Sequence, residues 1–384
     1  MWGSTVNGQP RVKHSPSLGS TPNEAERFNN RTTGPSALPP AVRHAMSAQI
    51  ISHRSNRFAD CLSRVVNRLQ PLFGTAELVM PFTCSGTGGM EAAIVNTLVP
   101  GQRVLAIRVG VFGDRFAEIA AAFGAEVVDW CIPWGHAADP EELRGKLHRS
   151  GTVAAVLVTH SESSTGVINP LEEIARVIHK ESDALVVVDA IGSIGAAPMH
   201  MDEWGLDVVV TASQKALMSP PGLAIVAASQ RVMTICGRKG TNRFYFDFSR
   251  MSAAVSDGTT TYTPGMSVIF ALDEALGLIE AEGLESVYSR HQRLRDLCRR
   301  GVAEAGLQCL ATPDVSSPTV TAAILPSGHS AQDVRRRLEV DYGILVSQGR
   351  AHLKEQMLRI GHMGWVTEAE VTEVVEAIAM VLSA

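Results

Sequence analysis

The chain has 384 residues, 45% hydrophobic and 19% charged, with 34 Lys+Arg against 39 Asp+Glu and a formal net charge of −5. That apolar share offsets chain entropy and excludes wholesale disorder, and a mildly acidic balance without basic runs gives no reason to expect a nucleic-acid partner. The six cysteines are scattered with no C-x-x-C pair, and no apolar stretch approaches the ~20 residues that cross a bilayer. These features predict a reduced, cytoplasmic protein with no metal site and no membrane partner.

At about 150 residues per domain, the length suits two or three units. Residues 1–28 are rich in Gly, Ser, Pro, Asn and Thr, which predicts a mobile N-terminal tail. Thr33 to Pro40 is turn-rich, and helical character begins at Ala41. Helical spacing then marks Phe58–Leu72, Gly88–Leu98, Phe112–Phe123 and Leu171–His179. Strand-like runs cover Glu77–Thr83, Arg103–Val109, Glu126–Trp130, Val153–Thr159, Leu185–Asp189, Val208–Thr211 and Leu223–Ala227. Short apolar strands alternating with helices predict an α/β fold whose large, mostly parallel sheet has helices on both faces. After Thr263-Pro264-Gly265, Val268–Gly301 reads as connecting helix interrupted by Gly277 and Gly283. Strands at Thr319–Leu325, Ile344–Val346 and Met357–Ile360, with helices Ala331–Glu339 and Thr367–Leu382, predict a smaller C-terminal α/β unit. The expected division is a tail over 1–28, a large unit with an N-terminal arm over 29–270, and a small unit over 271–384.

Three segments carry chemistry. Cys84-Ser85-Gly86-Thr87-Gly88-Gly89 joins a strand to a helix, where free amides suit a phosphate; taken alone it is better read as a tight turn. Asp189 ends a buried strand, the edge at which parallel sheets bind ligands, although a capping acid there is common. Lys215, in Ser213-Gln214-Lys215, is either a solvent-facing amine or a nucleophile tuned by its surroundings. Together, a phosphate turn, a strand-end acid and a lysine match the needs of pyridoxal 5'-phosphate: an anchor, a partner for the ring nitrogen and an amine for the aldehyde.

From Arg31 to the C-terminus the sequence resembles the class V, fold-type I aminotransferases, particularly the alanine–glyoxylate and serine–pyruvate branch. The resemblance rests on Thr33-Gly34-Pro35, Ile51-Ser52-His53-Arg54-Ser55, Ser85-Gly86-Thr87-Gly88, Gly110 to Arg115, Glu162 to Val167, Val188-Asp189-Ala190, Ser213-Gln214-Lys215, Pro220-Pro221-Gly222-Leu223 and Arg359-Ile360-Gly361. It implies Lys215 and Asp189 as catalytic residues. It implies Ser85, Gly86, Thr87, Phe112, Ser163 and Gln214 as further cofactor contacts. Arg359, with Gly34 and Ser163, is implied at the substrate, Arg359 holding its α-carboxylate. Tyr262 and Thr263, in the Thr259–Thr263 stretch, are implied to reach a partner's cofactor phosphate across a homodimer with shared active sites. The implied reaction moves an amino group from an alanine- or serine-type donor to a glyoxylate- or pyruvate-type 2-oxo acid. The alternative is a lyase on the same cofactor that eliminates, cleaves a carbon–sulfur bond or decarboxylates. Substrate-selecting loops are expected before Gly34 and over Arg238–Ser256, while Cys84, Trp130, Trp134 and Trp204 are expected to be packing residues.

Overall fold

A computed structural model describes residues 28–236 and 243–384. Apart from Phe28, the expected tail lies outside the described residues, as do the first residues of the Arg238–Ser256 loop. The strands in chain order are β1 (Asn29–Arg31), β2 (Val79–Thr83), β3 (Arg103–Arg108), β4 (Glu126–Cys131), β5 (Ala155–Thr159), β6 (Ser161–Glu162), β7 (Val167–Ile168), β8 (Leu185–Asp189), β9 (Val208–Ala212) and β10 (Leu223–Ala228). They continue with β11 (Gln308–Cys309), β12 (Val320–Ile324), β13 (Ile344–Gln348) and β14 (Met357–Gly361).

Seven strands form the large sheet in the order β2-β10-β9-β8-β5-β3-β4. β5, β8, β9 and β10 are buried along their whole length, which is why their sequences read as unbroken apolar runs and not as alternation. The series does not stay parallel throughout. β10 runs antiparallel to both β9 and β2. The chain gets from β9 to β10 through a short loop and not a helical crossover, and such a return forces an antiparallel pair. Strand order reverses at β3: the chain steps outward to β4, then back to β5 on the other side. Such a switch point opens a crevice at the carboxyl ends of the strands.

A second sheet has the order β1-β13-β14-β12-β11. Its first strand corrects a reading of the sequence. Asn29–Arg31, expected in the arm of the large unit, pairs in parallel with β13. Three residues are too few for a periodicity signal, and pairing with a strand more than 300 residues away leaves no local trace. Asn29 Nδ2 donates to the Glu370 carbonyl at 2.8 Å and to Glu373 Oε2 at 2.8 Å, so the start of the described chain is fixed to the last helix, Glu368–Ser383. That attachment delivers Thr33 and Gly34 to the crevice.

Two apolar cores lie under these sheets, and the helix Leu284–Glu304 serves both. Its Val287 joins the larger core, whereas Leu294, Cys298 and Val302 fill the smaller one. Of the two expected interruptions, only Gly283 breaks the connection, at φ 82°, ending Met266–Glu282; Gly277 remains helical. Trp130 is a core residue, and the Trp134 ring lies 4.6 Å from that of His352 at a tilt of 52°. Among the described residues, no helix is long and apolar enough to cross a membrane.

Candidate active site

A cavity of about 210 Å3 opens at the carboxyl ends of the large sheet. Ser85, Gly86, Thr87, Phe112, Ser163, Asp189, Gln214, Lys215 and Gly34 all line it, so the structure gathers nine residues named from the sequence onto one surface. Each arrives for a local reason. Ser85 is the N-cap of the helix Gly86–Thr97, but its hydroxyl makes no cap bond, and the first-turn amides have no partner within the helix. The helix therefore starts two residues earlier than its apolar pattern indicates, and its positive end meets the cavity.

Asp189 closes β8, opposite Thr159 of β5 and Val210 of β9. Its Oδ1 accepts from the Ile191 amide at 2.9 Å, and burial pushes its carboxyl up to about 7. Lys215 lies in the β9–β10 loop. There Ser213 Oγ donates to the Pro220 carbonyl at 2.6 Å, and the Met218 amide closes back on the Lys215 carbonyl at 3.0 Å. Met218 has φ 54°, an uncommon conformation for a side-chain-bearing residue, so the turn holding the lysine is tightly determined by its surroundings. Lys215 Nζ donates to the Thr33 carbonyl. Burial, reinforced by the Arg359 charge, pushes its ammonium down to about 8, against the opposing pull of Asp189 and Glu162. Gly34, at φ 110°, passes so close that a Cβ would lie 2.8–2.9 Å from the last three atoms of the Lys215 side chain. Only glycine fits both the backbone angle and the space.

Phe112 sits in the first turn of the helix Val111–Ala122, and a fully buried Glu162 places it. Glu162 Oε2 accepts from the Phe112 and Gly113 amides at 2.9 and 3.1 Å, while Oε1 accepts from the Ser164 amide and hydroxyl at 3.0 and 2.7 Å. Burial pushes the Glu162 carboxyl up, and those four bonds pull it down. At Gly110 a Cβ would meet Ser164 Oγ at 2.4 Å and Glu162 Cγ at 2.6 Å, so the helix and the β6 strand can approach this closely only at glycine. Arg115, one turn on, stands 4.9 Å over the Phe112 ring and donates to Thr87 Oγ1 at 3.3 Å.

Arg359 stands behind this surface. It is 3% exposed and donates through Nε to the Gln348 carbonyl (2.8 Å) and through Nη1 to Thr33 Oγ1 (3.1 Å) and the Ser163 carbonyl (3.0 Å). Burial, with repulsion from Arg350, pushes its guanidinium down to about 10. Tyr262 and Thr263 do not line the cavity. Tyr262 stacks on Tyr245 at 5.0 Å and 12°, next to Phe244, which is 68% exposed. The structure also adds Ile191 on the cavity wall, and gives roles to residues the sequence reading quoted in motifs without assigning one: Arg115 on the wall, and Glu162 and Thr33 behind it. Glu162 lies within a quoted motif, but nothing in the sequence separates a buried carboxylate that holds amides from an exposed one.

Residues 33–374 match the family model described as Aminotransferase class-V. The chain belongs to that family. It is 38% identical over 352 residues, 91% of each chain, to the protein named soluble hydrogenase, small subunit, of Synechococcus sp. (strain PCC 6716). It is 35% identical to the serine–glyoxylate aminotransferase of Methylorubrum extorquens, covering 87% of this chain and 86% of the relative. The crystal structure of an alanine–glyoxylate aminotransferase from Nostoc sp. superposes with a TM-score of 0.90 at 29% identity, over 99% of this chain and 100% of that one. The protein is thus a class-V aminotransferase of the fold-type I architecture, and the large sheet, the crevice and the smaller sheet described above are that architecture's parts. Its family implies pyridoxal phosphate as cofactor.

Proposed function

We propose that this class-V aminotransferase holds pyridoxal 5'-phosphate in the 210 Å3 cavity and moves an amino group from an alanine- or serine-type donor to a glyoxylate- or pyruvate-type 2-oxo acid. The observation that carries this reading is the convergence of Lys215, Asp189 and the Ser85–Thr87 helix start on one cavity. The residues present fit the cofactor. The helix start offers unpaired donors to a phosphate, and the space beside Lys215 stays open only because residue 34 lacks a Cβ. When bound, the cofactor supplies an aldehyde that takes the amino group and a ring that spreads the electron pair left at the substrate α-carbon.

The chain supplies the rest. Ser85, Thr87, the amide of Gly86 and the Gln214 side chain would hold the phosphate, with Phe112 against the ring. Asp189 would keep a proton on the ring nitrogen: a carboxyl lifted to about 7 by burial regains its charge when a cationic partner faces it. Lys215 would be the attachment point. With its amine pushed down to about 8, roughly a tenth is unprotonated at pH 7, far more than for an ordinary lysine, and ready to act as nucleophile and to carry a proton to and from the α-carbon. Arg359 would pair with the α-carboxylate, a bidentate task its planar fork suits, with Ser163 and Gly34 shaping the space in front of it.

We also read the chain as a homodimer with shared sites. Tyr262 and Thr263 stand away from their own cavity beside exposed Phe244 and Tyr245, as residues serving a second copy would. In this reading the cofactor unit runs to residue 270 from the end of β1, and Asn29–Arg31 join residues 271–384 in the smaller one. The six free cysteines are in keeping with a cytoplasmic location.

The test is direct. Borohydride reduction of the protein loaded with pyridoxal phosphate should tag the Lys215 peptide, and Lys215→Ala should lose both the tag and turnover by about 10^4-fold or more. Wild-type turnover in that variant would overturn the assignment. Continued release of product and ammonia over many turnovers with no 2-oxo acid present would instead favour the lyase, since a transaminase stops after one equivalent when its cofactor holds the amino group.

A further inference from the structure

Lys215 follows a strand of the large sheet and Arg359 sits in the smaller one, yet one buried segment connects them. From Arg359 in β14 the chain runs through Gly361, His362 and Met363 to Gly364, all buried. Met363 packs in a small apolar cluster with Val320 of β12, Ala196 and Ala216, the residue next to Lys215. Gly364, at φ 76°, lies against the lysine turn itself. A Cβ there would stand 3.0 Å from Met218 Cγ, 3.3 Å from the Lys215 carbonyl oxygen and 3.4 Å from Ser36 Oγ. That carbonyl accepts from Ser36 Oγ at 2.8 Å and from the Met218 amide at 3.0 Å. The lysine backbone therefore rests on the far end of the segment that begins with Arg359.

Two adjacent side chains of the helix Leu284–Glu304 hold that end. The Gly364 amide donates to His291 Nε2 at 3.0 Å, and the Gly364 carbonyl accepts from Arg290 Nη1 at 2.9 Å. His291 is fully buried, and its Nδ1 donates to the Val287 carbonyl one turn back at 2.7 Å. A carbonyl only accepts and an amide only donates, so the two partners fix one neutral tautomer with Nε2 as acceptor. Burial, with repulsion from Arg290, pushes the imidazole down to about 4, which keeps that acceptor in place near neutral pH. Arg290 is braced in turn. Its Nε and Nη2 donate to the two carboxylate oxygens of Glu282 at 2.6 and 2.9 Å, across the Gly283 break. Neither His291 nor Arg290 lines the cavity. Removing either leaves a backbone group of a buried residue without its partner.

We propose that Arg290 and His291 are positioning residues: by clamping Gly364 they hold the Lys215 turn and Arg359 at the separation that lets one substrate meet both. The proposal rests on the reading of Lys215 as the reacting amine and of Arg359 as the holder of the α-carboxylate. Neither clamp residue touches substrate, and each acts through Gly364. Once released, the segment shifts against the lysine turn, and a misplacement of about 1 Å costs up to about 10^2-fold in rate.

The experiment sets His291→Phe, which keeps a ring but loses the acceptor, beside Gly364→Ala, which keeps both clamp side chains but drives a Cβ into the lysine turn. Leu147→Ala controls for lost stability, being a core residue of the helix Pro140–Ser150 that does not line the cavity. In the cofactor-free protein, hydrogen exchange of the 213–223 peptide should rise about tenfold more in both clamp variants than in the control. In the loaded enzyme, kcat/KM should fall by about tenfold or more, through kcat and KM together, because amine and carboxylate grip move apart. The pH at which the bound cofactor changes colour, which reports the surroundings of the Lys215 amine, should shift with it, and the control should keep both values. His291→Gln, which returns an acceptor to the Gly364 amide, should recover most of the loss. Arg290→Gln, which frees only the carbonyl, carries the same comparison if His291→Phe fails to fold. Exchange at the control level in the clamp variants overturns the clamp. Raised exchange with wild-type kinetics and colour transition overturns the positioning role where Lys215→Ala is inactive. If Lys215→Ala instead keeps its turnover, the reading of the lysine fails, while raised exchange leaves the clamp standing.

Discussion

In the seven-stranded sheet the proposed site residues stand at strand ends and in the turns that follow them, whereas in the five-stranded sheet Arg359 projects from the middle of β14. There it faces Ala322 of β12 and Ser347 of β13. A parallel sheet covered by helices offers chemistry only at its rim, because the faces are committed to core. Asp189, Lys215 and the Ser85–Thr87 turn all sit on that rim. An antiparallel sheet can turn one face to a ligand, so a strand residue such as Arg359 can serve directly. The two regions also manage charge differently. On the rim Lys215 and Asp189 partly offset one another, whereas around Arg359 the cations accumulate.

After the loss of Lys215, the largest expected effect also tests the rim. Asp189→Asn preserves shape and can still accept from the Ile191 amide, but it removes the charge facing the ring nitrogen. Turnover should fall by about 10^2-fold to 10^3-fold, the scale of losing one preorganised electrostatic partner. The same variant has a second signature in the cofactor-free protein. Burial pushes the carboxyl from the ordinary 3.8 up to about 7 in the folded chain, so its stabilising contribution is complete below about 3.8 and lost as pH rises through 7. Relative to wild type, the Asp189→Asn apoprotein should therefore gain stability between pH 4 and pH 8, by a few kcal/mol in denaturant melts. A constant difference across that range would mean Asp189 is charged throughout.

The matching test on the smaller sheet is Arg359→Lys. It keeps the charge but loses the fork and the three bonds to Gln348, Thr33 and Ser163. We expect kcat/KM to fall by about 10^2-fold, mostly through KM, since the residue binds and does not transfer protons. Equal loss in kcat would move Arg359 into the chemistry and blur the contrast between the two regions.

That contrast also explains what the sequence revealed. Rim residues lie in glycine-marked turns at fixed offsets from apolar strands, so Ser85, Asp189 and Lys215 were legible as a pattern before any fold was known. Strand placement in the large sheet followed from unbroken apolar runs, because its central strands are buried end to end, and helix placement followed from periodicity. Two things were not legible, each because it depends on distant chain. β1 borrows its partner from β13, and β10 is set antiparallel against β2 from far earlier in the chain. Glu162 belongs with them, since its role is set by amides 50 residues earlier in the chain.

Glu162 supplies the mildest test. Phe112 reaches the cavity because one carboxylate oxygen gathers the amides of Phe112 and Gly113, while the other is tied to Ser164. Glu162→Gln leaves the volume and one acceptor oxygen. Whichever way the amide turns, however, its NH2 confronts amide donors where an acceptor is required. The helix start should shift away from it and carry the Phe112 ring out of register with the cofactor. The cost is not that of a core cavity, because the packing atoms remain, so the expected loss is about tenfold in kcat/KM with a modest drop in melting temperature. The decisive readout is visible-range circular dichroism of the bound cofactor, which reports how rigidly its ring is held. A reduced signal in Glu162→Gln, matched by Phe112→Leu and not worsened when the two are combined, would show that the carboxylate acts through the aromatic ring. Additive losses would show that Glu162 acts by a separate route, such as its charge on Lys215.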